Sequence, residues 1–216
     1  MKLFTSDSAA GRDGDITIDA PIFIQGGGAD GRGGDVLIDA DDDVELHAPV
    51  SASGKHRGGD MEVYAGGDAT IAAPLDLTGK GAVAAPGTFR ARAGHRRVGT
   101  LTIGADVRTL GGSQGFGRGI IDLSACLLRV APGVRVDGSG GPGNGVPGGS
   151  VIRLASRQPM VLGAGSRYLG RPGGRVETLH PPGRDPVIGA DVVFDPLRVD
   201  TEITGDFVYP ACPTTP

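Results

Sequence analysis

Tryptophan is absent from the 216-residue chain, and aromatic residues make up only 4% of it. Large rings normally fill a wide core, so their scarcity points to a narrow core of small aliphatic side chains. No run approaches the roughly 18 apolar residues that cross a bilayer as a helix. The start, MKLFTSDSAAGRDGD, carries one lysine but no apolar stretch of the secretory kind. The chain is therefore expected to be soluble in the cytoplasm, or a piece of a longer or processed exported protein. A basic excess is missing too. The formal net charge of −4 argues against a dedicated nucleic-acid binder. Apolar residues at i, i+3, i+4 and i+7 hardly occur, so helices are not expected. The two cysteines, Cys126 and Cys212, fit no metal spacing. They would pair if the C-terminal tail folded back over the segment carrying Cys126, but two separate thiols are the favoured expectation.

What the chain has in abundance is glycine, 40 residues, together with 16 prolines. Such a composition suits disorder or a low-complexity array. Hydrophobic residues still make up 38%, mostly Val, Ile, Leu and Ala in short alternating runs, which disordered chains lack. The glycines thus read as punctuation between many short strands.

One template recurs: apolar, x, apolar, x, small, x, apolar, x, apolar, x, Gly. Its first copies are Ile16, Ile18, Ala20, Ile22, Ile24, Gly26 and Val44, Leu46, Ala48, Val50, Ala52, Gly54. The third is Ala69, Ile71, Ala73, Leu75, Leu77, Gly79, and further copies begin at Leu101, Leu128, Met160 and Pro186. Successive copies are offset by 25 to 32 residues. Strict alternation buries one face of each strand, and a proline often follows the small central residue, as in Ala48-Pro49, where it fits a bend. A third strand precedes each full template and opens on glycine, as in Gly34-DVLIDA, Gly59-DMEVYA, Gly87-TFRARA and Gly119-IIDLSA. In the first copy Gly14-DITIDA merges with the template, so a short first coil is expected.

Three short strands per repeat predict an all-β fold: a right-handed, single-stranded parallel β-helix of about seven coils. At ~4.8 Å per coil the rod would be roughly 34 Å long. The predicted divisions are a lead-in over 1–10, the β-helix over 11–197, and a cap or tail over 198–216. Open solenoid ends expose strand edges, and the first ten residues look too short and polar to cover theirs. End-to-end self-association is one expectation that follows.

Between template and next coil lies a glycine-rich loop, and all such loops should fall on one edge. Several carry a cation: Arg32, Lys55, Arg57, Lys80, Arg118 and Arg171. Stacked, these would form a basic strip for an anionic polysaccharide, a phosphate polymer or an acidic surface. The simpler reading is that glycine supplies positive-φ turns and the cations keep the edge soluble. Asp15, Asp35 and Asp60 each follow the opening glycine, and residues 39–43 read DADDD. Stacked carboxylates repel unless backbone N–H groups or a cation satisfy them. A surface Ca²⁺ site stands beside turn capping, the simpler explanation. GGGADGRGGD superficially matches the calcium-binding nonapeptide GGxGxD, but the period is wrong for it.

No catalytic residue stands out. Asp122, Asp137, Arg153 and Glu177 face outward by alternation and would serve a lyase or hydrolase, as in many parallel β-helices, yet nothing separates them from a solvated face. His47, His56, His95 and His180 lie on different coils. No catalytic triad, P-loop or dinucleotide fingerprint is present.

The phrases GGDVLIDADDDVELHAPVSASGKHRGGD and GGDATIAAPLDLTGKG resemble the repeats of filamentous-haemagglutinin-type exoproteins and related bacterial surface β-helices. The resemblance spans about residues 11–196 and is sharpest over 11–82. It implies a secreted, surface-displayed rod for adhesion, attachment or presentation of another domain, extracellular or at the cell surface. The partner implied is a polysaccharide or another surface protein. Bactofilin-like filaments offer a second β-helix parallel, with shorter and less glycine-rich coils. The leading expectation is a structural or adhesive β-helix that binds through its loop edge. The alternatives are a polysaccharide-active enzyme of the pectin-lyase-like type and a self-assembling filament module.

Overall fold

The computed structural model describes residues 1–5, 14–26, 31–114, 117–139, 150–170, 173–196, 198–203 and 212. Every strand pairing among them is parallel, and the strands form three sheets that wind as a right-handed β-solenoid. Sheet A holds β1 (Lys2–Phe4), β4 (Val36–Ala40), β7 (Asp60–Ala65), β10 (Thr88–Ala93), β13 (Ile120–Ala125), β16 (Val151–Ser156), β19 (Arg175–His180) and β22 (Arg198–Glu202). Sheet B holds β2 (Ile16–Ile18), β5 (Val44–Leu46), β8 (Ala69–Ile71), β11 (Thr100–Ile103), β14 (Leu127–Val130), β17 (Val161–Leu162) and β20 (Val187–Ile188). Sheet C holds β3 (Ile22–Phe23), β6 (Val50–Ser51), β9 (Leu75–Asp76), β12 (Val107–Arg108), β15 (Arg135–Asp137), β18 (Arg167–Leu169) and β21 (Val193–Asp195).

The repeat dictates this winding. The first apolar pair of each template forms sheet B and the second lies on sheet C. The glycine-opened strand that precedes the template forms sheet A. Alternation turns one residue in two inward, and parallel pairing then stacks like on like. In sheet B one inward column runs Ile18, Leu46, Ile71, Ile103, Val130, Leu162, Ile188. In sheet A another runs Ala40, Ala65, Ala93, Ala125, Ser156. Val36, Met61, Phe89 and Ile121 fill the opposite end of the same strands. The core is thus a stack of aliphatic layers, and Phe89 and Tyr168 are its only fully buried rings among the described residues.

Two boundaries differ from the sequence reading. The first coil is not short, because β1 supplies its sheet A strand and pairs Leu3 with Ile38. Strand pairing also continues beyond residue 197, since β22 pairs with β19 from Val176↔Arg198 to His180↔Glu202. Both strands escape pattern reading for a physical reason. Strand β1 has three residues, and β22 carries Arg198, Asp200 and Glu202 at the positions that should be apolar. Apolar burial decays at this end: Val187, Ile188 and Val193 are 56%, 40% and 41% exposed.

Candidate functional site

The loop edge is built by close backbone approach. Chains leave sheet C through Gly26, Gly54 and Gly79, which bridge one another from coil to coil. They return through Arg32, Arg57 and Ala85, which bridge in the same way. A Cβ at Gly33 or Gly58 would overlap the carbonyl oxygen of Ala52 or Leu77. Most of these loop glycines are therefore required for contact. Among the described glycines of the edge only Gly31, Gly117 and Gly173 have positive φ, so the expectation that turns explain them holds at few positions.

The cations on this edge do not form one open strip. Arg57 reaches Asp60 at 2.8 Å, and Arg32 reaches Asp60 at 3.5 Å and Asp35 at 3.7 Å. The two lysines differ. Lys55 and Lys80 both line an open depression of about 440 Å³ with Gln25, Gly26, Ser53, Gly54 and Gly81. Only Lys80 approaches an acid there, Asp76 at 4.0 Å. Arg118 is exposed, and Arg171 lies outside the described residues. What this arrangement offers chemically is two ammonium groups on consecutive coils, ~4.8 Å apart in rise, beside a polar floor.

The three aspartates proposed for a cation separate. Asp35 and Asp60 stand at the start of sheet A, where arginines occupy them. Asp15 instead precedes β2 at the corner between sheets A and B. It joins a ladder there: Asp15 accepts from the Asp43 N–H at 2.9 Å, Asp43 from Asp68 at 2.7 Å, and Asp68 from Thr100 at 2.7 Å. Arg97 bridges Asp42 at 3.0 Å and Asp43 at 2.7 Å, and Arg96 pairs with Asp41. The Asp43 hydrogen bond holds the Arg97 guanidinium above its ordinary value. Two arginines from the loop after β10 thus offset the DADDD run. Among the described residues no group of three or more acidic, histidine or cysteine side chains is placed to hold a metal ion.

On the outer face of sheet A one column reads Glu62, Arg90, Asp122, Arg153, Glu177. Arg90 meets Glu62 at 2.9 Å, and Arg153 meets Glu177 at 3.2 Å and Asp122 at 3.8 Å. Arg175 adds a second bond to Glu177 at 2.6 Å. The structure therefore gathers three of the four outward residues considered for catalysis. It gathers them as a ladder of alternating charge, with Asp122 and Glu177 two coils, ~9.6 Å, apart and an arginine between them. Sequence reading missed the ladder, although its signal is visible as Glu, Arg, Asp, Arg, Glu at nearly fixed distance from the opening glycine of each coil. Asp137 stands elsewhere, in sheet C. Its buried carboxylate accepts from Arg135 Nε at 2.8 Å and from Ser139 N at 2.9 Å. Those bonds lock a turn.

The histidines remain apart. His47 lies between Asp19 and Glu45 at 3.3 and 3.2 Å, His56 is on the loop edge, and His180 is buried at the C-terminal end. The cysteines correct the expectation of two separate thiols. Cys126 and Cys212 are joined, with Cα atoms 5.4 Å apart, because residue 212 lies against the corner that follows β13. Both are buried. No helix among the described residues is long and apolar enough to cross a membrane. Compared with known proteins, the chain matches no family model, no curated sequence and no solved structure.

Proposed function

We propose that the protein is a non-enzymatic structural and adhesive rod that works outside the cell or at its surface. Its loop edge contacts a polysaccharide or another surface protein. One observation carries this reading: the outward carboxylates that a hydrolase or lyase would use are held in ion pairs with arginine between coils. Such pairs fix register and leave neither acid free to serve as proton donor or base. The resemblance to filamentous-haemagglutinin-type repeats supports the same role. A disulfide supports an oxidising compartment, since cytosolic thiols are kept reduced. Lys55 and Lys80 are the contact cations, because the arginines beside them are engaged.

The test is calorimetric titration with two probes, a polyuronate and a neutral dextran, alongside a reducing-end assay on the same mixtures. Binding of the polyuronate alone is expected, weakened at least tenfold in Lys55→Glu/Lys80→Glu, with no new reducing ends. Release of reducing ends would establish the enzyme reading instead. Equal binding by the double variant would remove the loop edge from the proposal.

A further inference from the structure

The inward alanine column of sheet A ends on a histidine. Ala93, Ala125 and Ser156 stack beneath His180, and Glu202 of β22 pairs above it. An imidazole thus stands where the preceding coils place small groups. Its side chain is 1% exposed. Both ring nitrogens face oxygen acceptors: Nδ1 lies 3.0 Å from the Pro181 carbonyl and Nε2 lies 3.1 Å from Asp200 Oδ1. A neutral imidazole carries one N–H, so either neutral tautomer points a lone pair at an oxygen. Only the imidazolium donates to both.

The charged groups around the ring come from β22. Asp200 takes His180 and, at 2.5 Å, the Thr178 hydroxyl, while Arg198 bonds Asp200 at 3.0 Å and Thr178 at 3.2 Å. Glu202 is the register partner of His180 itself. Ser156 of β16, below, brings a hydroxyl. The inward residues of β17, β18, β20 and β21 bring one titratable group, the Tyr168 phenol, which burial pushes far up and keeps neutral. The ring therefore faces one buried carboxylate on one strand, and that strand has little else to hold it. Strand β22 is largely exposed and has charged residues at its inward positions.

We propose that His180 is a proton-operated latch: as the imidazolium it fastens β22 over the edge of β19, and loss of its proton releases that strand. The latched form binds one more proton than the released form, so closure weakens as pH rises across about pH 5 to 8, where imidazoles change charge. Release uncovers the parallel edge of β19, to which another strand can add.

Amide hydrogen exchange on the whole oxidised chain tests this, with β7 as internal reference. The β22 amides and that of Ile203, which donates to the His180 carbonyl at 2.9 Å, are the reporters. Their protection relative to β7 is expected to fall about tenfold or more between pH 5 and 8, as expected for loss of a charge-assisted bond. In His180→Gln, which keeps one donor and cannot titrate, the ratio is expected to be flat. A flat ratio in the wild type, or the same slope in the variant, overturns the latch. Should the variant fail to fold, the imidazole nitrogen resonances of the wild type decide. Two protonated nitrogens at the acid end, giving way to one in step with β22 opening, support the latch. A single protonated nitrogen throughout overturns it.

Discussion

Replacing both cysteines, Cys126→Ser with Cys212→Ser, should cost the protein most of the stability that its C-terminal coils possess. The bond closes a loop with a sequence separation of 86 residues. Restricting an unfolded chain over that length is worth ~4.6 kcal/mol at 25 °C in the loop-entropy treatment. If the chain unfolds as one unit, its melting entropy is about 0.45 kcal/mol per degree, so the melting temperature should fall by ~10 °C. A solenoid unfolds more locally than that. If only the coils enclosed by the bond melt together, the same free energy acts on a smaller entropy and the drop is ~25 °C for that transition. Calorimetry of the oxidised protein and the double variant, with exchange mapping to locate the affected coils, measures both quantities. The early coils should keep their protection while β16, β19 and β22 lose theirs. Equal melting curves, or a loss spread evenly over all coils, would refute the assignment of the disulfide as a staple of the C-terminal end.

Three further outcomes follow from single side chains. Gly58→Ala places a methyl on the Leu77 carbonyl oxygen and should destabilise by about 3 kcal/mol or more, as backbone must shift; urea unfolding reads it, and a loss below ~1 kcal/mol would show that the loop edge yields easily. Asp137→Asn keeps the shape but removes the charge that Arg135 and Ser139 bind, for a cost of about 2 kcal/mol, discounted because Arg135 is partly exposed. Burial raises the Tyr168 phenol far above its ordinary value of 10.0. The folded state therefore favours the neutral phenol, so stability is unchanged below about pH 10 and declines above it. Ultraviolet titration should show this tyrosine ionising only with unfolding.

Much of the fold was legible because its information is local. Period-two runs such as Val44, Leu46 and Val50, Ala52 state which face is buried, and the recurring glycine states where a coil closes. The strands that were missed are those whose role is set by neighbours. Lys2–Phe4 becomes a strand by pairing with β4, and no alternation in three residues can announce that. Arg198, Asp200 and Glu202 read as a polar tail because their partners, Thr178 and His180, sit in the preceding coil. Asp15 and Asp35 look equivalent in sequence, each after a glycine, yet β1 already fills the sheet A position of the first coil and sends Asp15 to a different corner. The pairing of Cys126 with Cys212 depends on where a long return of the chain lands, which composition does not encode. The charge ladder was legible and overlooked, since it emerges only when coils are laid in register and compared column by column.

The placement of these features follows from the one-dimensional character of the stack. Each coil rests on its neighbours alone, so stability is a sum of adjacent interfaces and weakens wherever an interface is poor. Coils in the middle offer full layers, with Ile71, Leu101, Ile103 and Leu123 wholly buried. The last coil offers Val187, Ile188 and Val193, all substantially exposed, and hydrophobic gain scales with area removed from water. Apolar packing therefore fails first at the C-terminal end. That is where the chain concentrates its other means of attachment: the Thr178, His180, Arg198 and Asp200 cluster and the disulfide back to coil five. A polar cluster and a covalent tie can hold an end that a narrow aliphatic core cannot. Unlike aliphatic burial, both respond to the medium, one to protons and the other to thiols. The end of the rod, rather than its sides, is thus where conditions outside the molecule can change its shape.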